Sequence, residues 1–162
     1  MENNKKIYLA SPFGFSESTF SFMNKFEQAL EELQFIILNP WKLCSIDDFK
    51  EIDEIQDPKM KIEKLKELNY KIGERNENSI LESDIIIAIL DGIDVDSGTA
   101  SEIGYACAKG KKIYGYRNDF RQAGENLGSI INVQVEYWIS KSGGKIFQSF
   151  DEMVKYFETK IK

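Results

Sequence analysis

The sequence predicts an α/β fold with a doubly wound, mostly parallel sheet of about five strands, flanked by helices in three layers in the flavodoxin- or Rossmann-like manner. Three observations carry that expectation. Short apolar runs alternate with amphipathic helical segments along the chain. The run Ile85 to Leu90 is unbroken and rich in β-branched residues, which fits a strand buried on both faces. Polar residues then collect just after that run, where open α/β sheets bind ligands.

In order, Lys6 to Ala10 reads as the first strand, and Ser11-Pro-Phe-Gly-Phe15 as the turn at its carboxyl end. Phe13 and Phe15 either cap the core there or wall a site for a flat ligand. Ser16 to Leu33 is an amphipathic helix with Ser16 or Ser18 as N-cap and an apolar stripe of Phe20, Met23, Phe26, Leu30 and Leu33. Phe35 to Leu38 is a second strand, closed by Asn39-Pro-Trp41. Leu43 to Asp57 is acidic and is expected to be an irregular loop with one helical turn. Pro58 starts a long helix reaching about Glu82, with Leu65, Leu68, Ile72 and Ile80 inward. Asn76 falls on that stripe, either as a satisfied core amide or facing a polar pocket.

After the central strand, Asp91-Gly92 and an acidic loop with Asp94 and Asp96 lead to a helix from Gly98-Thr99 to Lys109-Gly110. Ile113 to Tyr116 is a fourth strand, and Arg117 to Gly128 a polar loop. A fifth strand is expected within Ile130 to Ile139, centred on Val133 to Trp138. Ser149 caps a last helix, Phe150 to Ile161, with Met153, Val154 and Phe157 inward. The whole chain, 1–162, is expected to form one domain.

The net charge of -6, from 27 acidic and 21 basic residues, argues against binding nucleic acid through its phosphates. No apolar stretch approaches the roughly 20 residues that span a bilayer, and no signal peptide is visible, so a cytoplasmic protein is expected. Cys44 and Cys107 are isolated. Histidine is absent, which removes the commonest general base and most transition-metal sites. Neither a metal nor a cofactor is expected, and acid–base work falls mainly to carboxylates.

Glu102 carries two readings. Thr99-Ala-Ser-Glu102 has the form of a capping box, in which the Glu reaches back to its own helix start. A carboxylate in that first turn also lies in the positive end of the helix dipole, at the carboxyl edge of the sheet. There it can attack an electrophilic sugar carbon.

The string Asp84-x5-Leu90-Asp-Gly-x3-Asp96-x-Gly-Thr-x2-Glu102-Ile-Gly-Tyr-Ala resembles the nucleoside 2-deoxyribosyltransferase family. Ile7-Tyr8-Leu-Ala10, Asn39-Pro-Trp41 and Asn132-Val-Gln134 fit the same pattern, so the resemblance covers nearly the whole chain. It implies that Glu102 is the nucleophile toward C1′ of a 2′-deoxynucleoside, holding the deoxyribosyl group as an ester until a second base attacks. It implies that Tyr8 holds the nucleophile and senses the 2′ position, and that Asp96, with Gly98 in the same string, binds the sugar. Phe13 matches an aromatic beside the base, and Asn132 and Gln134 match positions supplied by a neighbouring protomer. The implied partners are 2′-deoxynucleosides, free nucleobases and further copies of the chain, as a homodimer or a hexamer of dimers. There is a departure at Asn76, where some members carry an aspartate proposed to protonate the leaving base. An amide hydrogen-bonds a base but cannot act as a general acid. Adjacent Glu77 points about 100° away around the helix.

One rival reading is an N-glycoside hydrolase of deoxynucleosides or of their 5′-monophosphates. Relatives of the family hydrolyse nucleoside 5′-monophosphates, but they carry Arg and Ser after the first strand, where this chain has Ser11-Pro-Phe-Gly-Phe15. Phosphoribohydrolases that release cytokinin bases share a Gly-Thr-x2-Glu string but precede it with Pro-Gly-Gly. A non-catalytic nucleoside-binding module is the reading from a different class.

Overall fold

The computed structural model describes residues 4–43 and 46–161, so Cys44 lies outside the described residues. The sheet has five strands, all parallel, in the order β2-β1-β3-β4-β5. They are β1 (Lys6–Ala10), β2 (Ile36–Leu38), β3 (Ile85–Ile89), β4 (Lys112–Tyr116) and β5 (Ile146–Phe147). Every residue of β3 is buried, because the strand runs through the middle of the sheet with helices on both faces. The chain order reverses between β1 and β3, and their carboxyl ends open the crevice where such sheets take ligands.

Alternation along the strands sorts the core into two layers. Ile7, Leu9, Ile85, Ile87, Ile89, Tyr114 and Tyr116 face α1 (Glu17–Glu32) and α7 (Phe150–Tyr156), against Met23, Phe26, Leu30 and Met153. Tyr8, Ala10, Ile86, Ala88, Leu90 and Ile113 face the other way, against Ile80, Ile103, Ala106, Val135 and Ile139. Those five belong to α4 (Pro58–Glu82), α5 (Ser97–Ala108) and α6 (Val133–Lys141). This is the expected three-layer, doubly wound fold.

Local chemistry sets the boundaries. Asp57 caps α4 by accepting from the Lys59 N–H, with Pro58 in the first turn. Gly110, at φ +73°, ends α5 in the left-handed conformation that glycine adopts freely. Ser16 stands at the N-cap of α1, but its side chain makes no cap bond. The 157–161 segment continues α7 as a wider π-type turn that buries Phe157 and Ile161.

Two expectations are corrected. The expected fifth strand at Val133 to Trp138 is the helix α6, and β5 lies later, at Ile146–Phe147. Val133, Val135, Tyr137 and Ile139 alternate like a strand, but the buried positions are Ile131, Val135 and Ile139, every fourth residue, and Asn132 caps the helix by accepting from Gln134 and Val135. The acidic 43–57 segment is more ordered than expected. It contains the end of α2 (Pro40–Leu43) and the helix α3 (Ile46–Asp53). Among the described residues no helix is long and apolar enough to cross a membrane.

Candidate active site

The crevice is built from β1 upward. Tyr8 is wholly buried, and its hydroxyl donates to Glu102 Oε1 across 2.6 Å. Glu102 stands near the start of α5, which follows the loop after β3, so the sheet topology brings two residues 94 positions apart into contact. The expected capping box does not form. Asp96 is the N-cap: its Oδ2 accepts from the Thr99 N–H at 2.9 Å and from the Thr99 hydroxyl at 3.3 Å. Asp96 thus satisfies the helix start, and Glu102 is held by the phenol of another element.

Burial lifts the Glu102 carboxyl to about 7; the Tyr8 hydrogen bond opposes that rise and the Asp96 charge adds to it. Burial, together with the Glu102 charge and hydrogen bond, raises the Tyr8 phenol well above its ordinary range, so it remains a donor. A carboxylate poised near neutrality, with one oxygen fixed by a phenol, is suited to nucleophilic attack.

A cavity of about 500 Å³ opens beside this pair, within the size range of small-molecule sites. Glu102, Asp96, Gly98 and Thr99, from the start of α5, form part of its wall. A Cβ at Gly98 would come within 3.1 Å of Asp96 Oδ2, so glycine keeps space beside that carboxylate. Phe15, Pro40, Trp41, Phe49 and Ile72 make the apolar part, with Ser11 and the Asn76 amide as polar interruptions. Trp41 Nε1 donates to the Ser11 carbonyl at 2.8 Å, and Phe15 meets the Trp41 ring edge-on at 4.5 Å.

The sequence candidates divide accordingly. Tyr8, Glu102, Asp96 and Gly98 come together, and Asn76 lines the same cavity. Phe13 packs edge-on against Phe22 beside the core and is not part of the lining; Phe15 is. Asn132 caps α6 and donates to Glu125, while Gln134 is exposed on the first turn of α6; neither lines this cavity. Glu77 is bonded to the Tyr105 hydroxyl, outside the lining residues.

Sequence reasoning missed Phe49 and Arg117. Phe49 lies in the segment read as irregular, although Phe49 and Ile52 have helical spacing. Arg117 is buried at the end of β4 and donates to the carbonyls of Leu90, Gly92 and Arg121, which fixes the strand end and the start of the loop leading to Asp96.

Solved structures share this architecture. A conserved protein from Enterococcus faecalis is 25% identical, with a TM-score of 0.70 over 94% of this chain and 96% of that one. A 2-deoxyribosyltransferase from Bacillus psychrosaccharolyticus is 25% identical, with a TM-score of 0.62 over 93% and 91%. A CMP N-glycosidase from Clostridium botulinum is 19% identical, with a TM-score of 0.58 over 95% and 98%, a likeness of fold. No curated protein matches the sequence. The nucleoside 2-deoxyribosyltransferase family matches residues 7–134, most of the chain and all of the crevice described above, and the protein belongs to that family of enzymes.

Proposed function

We propose that the protein exchanges bases between 2′-deoxynucleosides by double displacement through Glu102. The free carboxylate oxygen of Glu102 attacks C1′, and the glycosidic electron pair leaves on the base nitrogen. A second base then attacks C1′ from the opposite side, and the ester pair returns to Glu102. Two inversions restore the β-anomer. The observation that carries this reading is the Tyr8–Glu102 hydrogen bond at the edge of an apolar cavity. Tyr8 orients the carboxylate, and Asp96 has a second carboxylate oxygen with which to accept a sugar hydroxyl.

The lining supports an unphosphorylated substrate. Among the described residues, those that wall the cavity include two carboxylates and no basic side chain, so a dianionic phosphate would be repelled. Asn76 can hydrogen-bond the base, which takes its proton from water. Asn132 and Gln134 are not among the lining residues of their own protomer's cavity, and the family resemblance assigns such positions to a neighbouring copy in a dimer or a larger assembly. Nucleoside salvage is the natural use of such an exchange.

Incubation with deoxyinosine and free adenine should yield deoxyadenosine, with less free deoxyribose than in the absence of adenine. Trapping with a 2-fluoro-2-deoxynucleoside should add one glycosyl mass to the peptide containing Glu102. Failure to exchange any purine or pyrimidine pair would end this reading; free sugar in equal amount with and without an acceptor would make the enzyme a hydrolase.

A further inference from the structure

Glu27 is an acidic residue on the inward stripe of α1, four residues after Met23 and three before Leu30. Its side chain is only 4% exposed. A buried carboxylate at such a position costs stability that a methionine or leucine would not. Its two oxygens are both used. Oε2 pairs with Lys42 Nζ at 2.7 Å, and Oε1 accepts from Asn39 Nδ2 at 3.2 Å.

The second of these contacts leads to the cavity. Asn39 is itself buried, and its Oδ1 accepts from the Trp41 N–H at 3.0 Å. Lys42 lies in the same short helix, and its N–H donates to the Asn39 carbonyl. Glu27 therefore grips the β2–α2 corner on both sides of Trp41. The indole in turn is fixed to the Ser11 carbonyl and lies against Gly14, where a Cβ would meet ring carbons at 1.9 to 2.4 Å. Trp41 and Phe15 form an aromatic wall of the cavity.

We propose that Glu27 is a positioning residue for the base-binding half of the site: through Asn39 it holds Trp41, and with it the 11–15 turn, where a nucleobase stacks. The base-stacking role rests on the proposed exchange reaction; the positioning of Trp41 does not. Glu27 touches no reacting atom. Its replacement changes base recognition and leaves the Tyr8–Glu102 pair alone.

The test uses the full chain carrying Trp138→Phe, which leaves Trp41 as the sole tryptophan. Glu27→Met fills the site with an apolar chain of similar length. Acrylamide quenching of Trp41 in the ligand-free protein should rise, and KM for the acceptor base should rise about tenfold, the scale of one or two lost hydrogen bonds. The KM for the donor deoxynucleoside should rise as well, while the maximal rate of its hydrolysis without acceptor, read at saturating donor, should hold. Glu27→Gln, which keeps an acceptor for Asn39, should stay near the parent in both readouts. Unchanged quenching and KM in Glu27→Met overturn the proposal, as does a fall in kcat with unchanged KM. If Glu27→Met does not fold, Asn39→Ala is read by the same criteria, since it cuts the link and leaves the Glu27–Lys42 pair. A parent protein that exchanges no bases refutes the exchange reaction, and quenching alone then decides the positioning of Trp41.

Discussion

Replacing Glu102 by Gln should stabilise the protein in alkaline buffer and do much less in acid. Burial raises the carboxyl from an ordinary 4.5 to about 7. Because the folded value lies above the unfolded one, the favourable contribution of the neutral group is present below about pH 4.5 and is lost as the pH rises through 7. At 1.36 kcal/mol for each tenfold, holding the ionised carboxylate in the folded state costs about 3 kcal/mol, and about 2 kcal/mol after allowance for its partial exposure to the cavity. Gln keeps an acceptor for the Tyr8 hydroxyl and carries no charge, so it removes that cost. Thermal melts at pH 8.5 should therefore show the variant about 4–8 °C above the wild type, and melts at pH 5 a much smaller gain. Comparison within each buffer cancels groups that titrate in both proteins. Equal displacement at the two pH values would refute the account of a buried carboxyl with a raised pKa, whatever happens to activity.

Other outcomes follow from the same geometry. Tyr8→Phe removes the hydrogen bond that lowers Glu102, so the acid limb of kcat/KM, near pH 7 in the wild type, should move up by about one pH unit if that bond contributes about 1.5 kcal/mol; pH–rate profiles with a substrate that does not titrate check it. Gly14→Ala drives a methyl into the Trp41 ring and should lower stability by about 1–3 kcal/mol in urea titrations, with weaker binding of free bases. Arg117→Met leaves the buried Leu90 carbonyl and its neighbours without their donor, and should cost about 3 kcal/mol by the same titration.

The sheet was legible because its central strands are mostly apolar runs, and Ile85 to Leu90 is short, rich in β-branched residues and followed by a turn signal, which favours a buried strand over a helix. The segment after Ile130 was misread because two periods coexist there. Alternation of Val133, Val135 and Tyr137 suggests a strand, while the fourfold spacing of Ile131, Val135 and Ile139 buries one side of a helix. Which period wins depends on the cap at Asn132 and on contacts with α5 and β4. The start of α5 holds a similar ambiguity. Asp96-x-x-Thr99 and Thr99-x-x-Glu102 are overlapping cap patterns, and the choice between them is made by Tyr8, far away in sequence. In the 11–15 turn, Phe13 and Phe15 are interchangeable on paper. The turn sends one beside the core, against Phe22, and the other to the cavity. The sequence reading passes over Glu27, because one more acid in an amphipathic helix carries no local signal and its partners lie on another element.

The lining of the cavity comes from different stretches of chain. Tyr8 stands on β1, and Asp96 and Glu102 stand at the cap and in the first turns of α5, whereas Pro40, Trp41 and Phe49 belong to two short helices that lie between β2 and α4. Swapping that segment for a differently shaped one would leave Tyr8, Asp96 and Glu102 on their scaffold. Under the proposed chemistry, the choice of base could then be retailored independently of the bond being broken, which makes the 40–53 stretch the natural target for directed evolution toward unusual nucleosides.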